Sequence, residues 1–477
     1  MSRFGKTIPL LALLAGCDLA PDFRLPELAL PDWWGNTEAR KPEEPETLAR
    51  PSAWWKSFRI PELDRLEQAA LDNNHDLKAA VARIQQAEAQ LAIAGAPLLP
   101  TLGLSAQEQV LKRSRSTTST TSTTGTSTST GGAARSSVHS YELGLSASYE
   151  LDFWGRTRSA VGAAEAAFRA SAFDRDTVAH TLTAGVANAL FQVVALAERV
   201  ETAKRNLGIA RESLAYAENQ AIHGKTSALE AAQQRSAVAL IEAQVPALEL
   251  QRRQALDGLA VLTGLAPSAL EAPRATLGDI PIPYVVPGLP STLLLRRPDI
   301  RKAEENLRAA NANIGVARAQ LFPSLTLTAE RGYSSAHLAQ WIEPTSIFWT
   351  LGAGVAVTLF DNDKTLGNIR LSEAKKLELA EAYRGSILAA LRDVEDGLAA
   401  VRLLAEQESA QAIAVLSARE AQRLADVRYK EGAVDYLAVL EAQRTLLQAE
   451  DGSIQTRLSR LNAVVGLFKA LGGGIEP

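Results

Sequence analysis

Cysteine is almost missing from this chain: a single residue, Cys17, stands in 477. One thiol near the N-terminus excludes a disulfide framework and a cysteine metal cluster. An excess of basic residues is missing as well. The formal net charge is −4, so no Lys- and Arg-rich surface is available to neutralise phosphates, and nucleic acid is set aside as a partner. Histidines are few and scattered, at His75, His139, His180, His223 and His337. None is paired at ligand spacing, which argues against a zinc or nucleophile site and against an enzyme. No glycine-rich phosphate loop follows a strand. Beyond the N-terminus there is no apolar run of the roughly 18 residues a spanning helix needs. Any membrane span must then be β. An apolar share of 46% and a charged share of 22% exclude both a disordered chain and a polytopic helical membrane protein.

Proline is absent from two long stretches, and they organise everything else. Lys364 to Gly432 contains none, nor does Arg156 to Gly224, and the two match at a constant offset of 208 residues. A continuous helix of that length extends about 100 Å at 1.5 Å per residue. The chain is therefore an internal duplication. In the second stretch Ile387, Leu391, Val394, Leu398 and Val401 follow heptad spacing, and in the first Val178, Leu182, Val186 and Leu190 recur every four; such seams supercoil against neighbours. At Gly224 and Gly432 the chain can turn left-handed and reverse, returning along helices from Ser227 to about Thr263 and from Asp435 to about Leu471. Pro246 falls inside the first returning helix, where a bend is expected; Ile454 is its counterpart.

The N-terminus reads as a processing signal over residues 1–16. Arg3 and Lys6 precede a short apolar run that ends in Leu14-Ala-Gly-Cys17, the form of a bacterial lipobox with Cys17 as lipid acceptor. Covalent acyl chains there would tether the mature end to a leaflet. Residues 17–60 are rich in proline and tryptophan and should lie extended along the folded body. Repeat 1 covers 61–270, a linker with five prolines covers 271–295, and repeat 2 covers 296–472. Leu63, Leu66, Ala70 and Leu71 mark a first helix, and a second runs from Asp76 to about Ala96 with its copy from Asp299 to Gln320, each with its aspartate placed to cap free amides.

Between helices, each repeat carries a β-hairpin, 101–153 or 324–360. Tyr141, Leu143, Leu145, Ala147, Tyr149 and Leu151 alternate with Glu142, Gly144, Ser146, Ser148 and Glu150; Trp349, Leu351, Ala353, Val355, Val357 and Leu359 alternate with Gly352, Gly354 and Thr358. Long alternating runs with small or polar residues on one face fit tilted transmembrane strands, and Tyr141, Phe153, Trp154, Trp341 and Trp349 read as interface girdles. The polar Ser/Thr tract at 114–130 must sit in water. Four strands cannot close, and an open edge is not tolerated in lipid. Two chains would supply eight strands and three would supply twelve; the small residues on the polar face favour a lumen, hence twelve.

Several motifs together resemble outer-membrane efflux lipoproteins of the TolC, OprM and NodT type: the lipobox, Leu151-Asp-Phe-Trp-Gly-Arg156, Leu294-Leu-Arg-Arg-Pro-Asp-Ile300, Ala319-Gln-Leu-Phe-Pro-Ser324, and Tyr429-Lys-Glu-Gly-Ala-Val-Asp-Tyr436 continuing to Arg444. The resemblance spans the mature chain. It implies an α+β membrane protein, with helical hairpins 156–263 and 364–471 forming a periplasmic α-barrel and a twelve-stranded β-barrel in a homotrimer. It implies a passive exit duct for drugs or other small toxic compounds, lipid-anchored in the outer membrane, with a periplasmic adaptor and an inner-membrane RND-type pump as partners. No cofactor is expected beyond lipid on Cys17. Leu437 and Glu441, four apart and on one helix face, correspond to the rings that constrict the periplasmic end in this family. Gly224, Lys225 and Thr226 in one turn, and Gly432, Ala433, Val434 and Asp435 in the other, correspond to tips that meet the adaptor. Two alternatives compete: the exit channel of a protein secretion system, and a periplasmic coiled-coil adaptor lipoprotein without a pore.

Overall fold

The computed structural model describes residues 19–36, 53–112, 137–224 and 227–473. Cys17, the 114–130 tract, Lys225 and Thr226 lie outside the described residues. The helices are α1 (Pro61–Asn73), α2 (His75–Gly95), α3 (Arg156–Ile222), α4 (Ala228–Leu262), α5 (Leu293–Arg296), α6 (Pro298–Ala319), α7 (Lys364–Lys430) and α8 (Tyr436–Ala470); the strands are β1 (Thr101–Lys112), β2 (Ser137–Leu151), β3 (Ser324–Ser335) and β4 (Ile347–Ala356). The duplication is visible residue for residue. Helices α3 and α7 each have 67 residues, and α4 and α8 each have 35.

The chain divides into two compact units. The first combines Met1–Arg24, Glu88–Ala167 and Leu307–Glu378. Its centre is one antiparallel sheet in the order β1-β2-β3-β4. The register sets Leu104 against Leu145, Leu145 against Arg331, and Arg331 against Trp349 on one face, and Gly144 against Gly332 on the other. The strands β2 and β4 stop sooner than the alternating pattern suggests. Val357, Leu359 and Phe360 lie beyond β4, because Asn362 and Asp363 take positive φ (57° and 64°) and Asp361 caps α7 by accepting from the Thr365 amide at 2.9 Å. Beyond β2, Gly155 takes φ 72° and Asp152 accepts from the amides of Thr157 and Arg158 at 3.0 and 2.8 Å. Capping chemistry thus overrides apolar alternation. Residues 19–24 cross α6: Asn311 donates to the Pro21 carbonyl at 2.7 Å, and the Arg308 guanidinium sits 4.4 Å from the Phe23 ring centre.

The second unit combines Leu25–Ala87, Phe168–Asn306 and Leu379–Pro477. Here segments distant in sequence share two cores. Trp54 stacks on Phe468 at 5.3 Å and touches Phe58, which packs on Phe191. The heptad residues Ile387 and Val394 join Trp34, Ile300 and Leu467 in the other core, and the Trp34 indole donates to Gly288 O at 2.7 Å. The linker is pinned by Arg457, which donates to the carbonyls of Leu277 and Ile280, both at 2.9 Å. Arg297 explains the Arg-Arg-Pro-Asp motif: it reaches Asp299 at 2.6 Å, Asp393 at 3.4 Å and the Ala470 carbonyl at 3.2 Å. Burial alone would raise the Asp299 carboxyl, but the Arg297 guanidinium beside it holds it below the ordinary carboxylate range.

One expectation needs correction. The cap of α2 is Asn74, whose Oδ1 accepts from the Leu77 amide at 3.0 Å, and not Asp76; Asn74 also donates to Leu262 O. Asp299 does accept from an amide at the start of α6, that of Ile300 at 2.9 Å, and is in addition the partner of Arg297. Helix α4 runs from Ala228 to Leu262 with Pro246 inside it, so the proline, which lacks a backbone donor, does not end the helix. One further observation refines the hydropathy reading. Among the described residues, α3 alone contains an 18-residue stretch apolar enough to cross a membrane, and 67% of it is buried inside the protein. It is a core helix.

Candidate functional site at the hairpin turns

Both long hairpins reverse through a glycine. Gly224 has φ 67° and Gly432 has φ 75°, a region open to glycine at no steric cost. The second turn closes with Ala433 N bonding to Arg428 O at 2.8 Å and Gly432 N to Tyr429 O at 2.9 Å, the paired pattern of a left-handed helix end. The returning helices start differently. Ser227 accepts from the Glu230 amide at 3.3 Å, whereas the Asp435 side chain makes no cap bond. Gly224, Gly432, Ala433 and Asp435 are exposed, and Val434 is half-buried.

Leu437 is 66% exposed, large for an apolar side chain, and Glu441 is exposed one turn on. Tyr436, directly before Leu437, is only 1% exposed. Its ring meets Tyr429 at 5.2 Å, and Tyr429 meets Tyr216 on α3 at 5.9 Å, both edge-on. Burial, helped by Tyr429, Asp426 and Glu230, pushes the Tyr436 hydroxyl upward and keeps it neutral. Burial also raises the Asp426 carboxyl, against the pull of Lys430. Apolar stacking therefore ties α8 to α7 and α3 here, while Leu437 and Glu441 on the same helix remain free of the core.

Farther along α8 a polar clamp replaces the tyrosines. Glu450 accepts from Arg419 of α7 at 2.6 Å and from Asn206 of α3 at 3.3 Å, with Arg205 at 4.0 Å. Asp451 takes Arg199 of α3 in a two-pronged pair at 2.6 and 3.2 Å. Sequence reasoning missed both groups. The tyrosines have no counterparts in the other repeat, where 221 and 228 are alanines and 424 is leucine, so the duplication hid them. A signal for the clamp did exist in the adjacent acids Glu450-Asp451 on an otherwise apolar helix face. Among the described residues no group of three His, Cys, Asp or Glu side chains could hold a metal ion.

A four-stranded antiparallel sheet with one apolar face, together with two long helical hairpins, is the element set of outer-membrane channel proteins with a periplasmic helical part. The chain belongs to the outer membrane efflux protein family, whose model matches residues 66–265 and 289–473, one span for each repeat. It is 43% identical over 423 residues to the pyoverdine export outer membrane protein OpmQ of Pseudomonas putida, covering 88% of both chains. It is 36% identical over 478 residues to the toluene efflux pump outer membrane protein TtgF of the same species, covering 98% of this chain and 96% of that one. The solved CmeC outer membrane channel of Campylobacter jejuni superposes with a TM-score of 0.85 at 26% identity, over 96% of this chain and 95% of the other. The protein is thus an outer-membrane channel of an efflux system.

Proposed function

We propose that three copies of this chain close a twelve-stranded barrel and form a passive exit duct for small toxic compounds or exported siderophores. The observation that carries the reading is the open sheet. Strands β1 and β4 stand at its two ends, with unpaired backbone edges that lipid cannot satisfy, and its apolar face is bare, with Leu104 75% and Leu351 72% exposed. Copies of the same chain supply both missing neighbours. Glycines on the polar face leave room for a lumen, which twelve strands provide and eight do not. The solute classes follow from two relatives, OpmQ, a pyoverdine export protein, and TtgF, a toluene efflux pump protein.

In this reading lipid on Cys17 anchors the mature end. An adaptor meets the turns at Gly224, Lys225 and Thr226 and at Gly432, Ala433, Val434 and Asp435, and an inner-membrane RND-type pump supplies the energy. Leu437 and Glu441 form the constriction: three copies would set apolar side chains and like charges around one axis, where repulsion favours opening. Two measurements test this. Deleting the gene should lower resistance to some members of a panel of antibiotics, dyes and solvents, or trap a siderophore in the periplasm; unchanged resistance and secretion would contradict the efflux role. The Leu437→Ala, Glu441→Ala variant should raise single-channel conductance in planar bilayers, and an unchanged conductance would remove the constriction from these residues.

A further inference from the structure

The polar face of the sheet carries charge of one sign. Alternation places Leu102, Leu104, Leu145, Leu351 and Val355 on one face, 53 to 75% exposed, and that face suits lipid. Lys112 and Arg331 share this apolar face, since Arg331 lies in register with Leu145 and Trp349 and Lys112 is an even number of residues from Leu104. The opposite face holds Glu142, Glu150 and Glu330 among glycine, serine, threonine and glutamine, with Phe348 and Leu111 as its large apolar side chains. Glu150 is offset by Arg156 at 3.4 Å. The other two carboxylates are held without a cation among the described residues. Glu142 receives the neutral amide of Gln107 at 2.8 Å. Glu330 lies over Gly144, where a Cβ would come within 2.8 Å of its Oε1. Gly332, the register partner of Gly144, is pressed so close to Leu143 O that a Cβ would lie 2.1 Å away. The two glycines leave space beside the carboxylates, although Phe348 stands next to Gly332 on the same face.

We infer that Glu142 and Glu330 make the membrane-embedded part of the duct prefer cations over anions, independently of the periplasmic end; this rests on the closed barrel proposed above. Glu330 is opposite Ser146 and Glu142 opposite Ser334, so their backbone positions stand four residues apart along β2, and the Glu330 carboxylate leans back over Gly144, two residues from Glu142. The two carboxylates therefore form one acidic tier, which the copies of a closed barrel complete as a ring. A lumen bounded by low-dielectric walls focuses the field of such rings, and a mean potential of about one kT enriches monovalent cations over anions roughly seven-fold. The solute class that passes this segment most readily is cationic or neutral, and polyanions are opposed.

Reversal potentials in planar bilayers under a potassium chloride gradient test this. The wild-type channel should favour potassium over chloride. Glu142→Gln with Glu330→Gln keeps side-chain shape and should bring the permeability ratio close to unity while conductance persists; each single variant should give about half of the shift, so the result survives if the double variant assembles poorly. Single and double barrel variants that keep the wild-type reversal potential overturn the inference. A wild-type protein without any conductance overturns the duct itself, and this inference with it.

Discussion

Arg211 on α3 meets Glu242 on α4 at 2.7 Å, and 208 residues later Arg419 on α7 meets Glu450 on α8 at 2.6 Å. Duplication made the same ion pair twice, and the protein uses the copies differently. The Glu242 side chain is 58% exposed and its pair stands in water, whereas the Glu450 side chain is 9% exposed and also faces Arg205 and Asn206 of α3. The difference extends along both helices. Helix α4 buries six residues and α8 twelve, although both have 35. Pro246 is exposed and its counterpart Ile454 is buried in a core. Backbone lengths record the duplication, and packing records the division of labour: α8 is wedged against α3 and α7, while α4 leaves Leu229, Leu240 and Leu250 about 60% exposed or more.

The largest effect that tests this contrast comes from another equivalent pair. Leu461 on α8 is fully buried and Arg253, its counterpart on α4, is exposed beside Asp257. Leu461→Ala should destabilise the fold by about 2–5 kcal/mol, and Arg253→Ala should stay within about 0.5 kcal/mol, both by denaturant unfolding. Comparable losses would mean that α4 and α8 are packed alike.

The next effect concerns α3 against α7. His180 is 9% exposed, and its counterpart Leu388 is 55% exposed. Burial pushes the His180 imidazole down to about 4, with Asp299 opposing and Lys469 and Arg297 adding to the shift. The unfolded chain protonates first, near 6.5. Stability from this group is therefore complete above pH 6.5 and declines as pH falls toward 4, by up to about 3 kcal/mol. Melting temperature against pH should show that decline, and His180→Leu should flatten it. A profile of the same slope in the variant would assign acid sensitivity elsewhere.

The smallest effect is the one that isolates the ion pairs. Glu450→Gln leaves Arg419 and Arg205 without their anion and should cost about 1–3 kcal/mol. Glu242→Gln should cost no more than about 0.5 kcal/mol. Equal costs would place both pairs in the same environment.

Much of the fold was legible because its signals repeat. Proline-free spans, the glycines at 224 and 432 and the offset of 208 each point to the same hairpins, and alternation over β2 and β4 marked the sheet faces. The ends of these elements were less legible. Asp152 and Asp361 terminate the strands by capping helices, a local contest between side-chain hydrogen bonds and apolar pattern that alternation cannot rank. Long-range packing was out of reach. That Arg297 joins Asp299 to Asp393, or that Tyr216 meets Tyr429, depends on the three-dimensional path of helices, and neither pair has a mark in local spacing. Of the candidate site, the exposed positions Leu437 and Glu441 were named by their motif, while the tyrosines and Glu450 that hold α8 beside them were not.

The central claim is that one chain supplies a third of a closed membrane barrel. Native mass spectrometry of the protein extracted from outer membranes in detergent measures this directly. The account predicts a single assembly of three chains that falls to monomer on heating; a folded monomer or dimer as the sole species would contradict it.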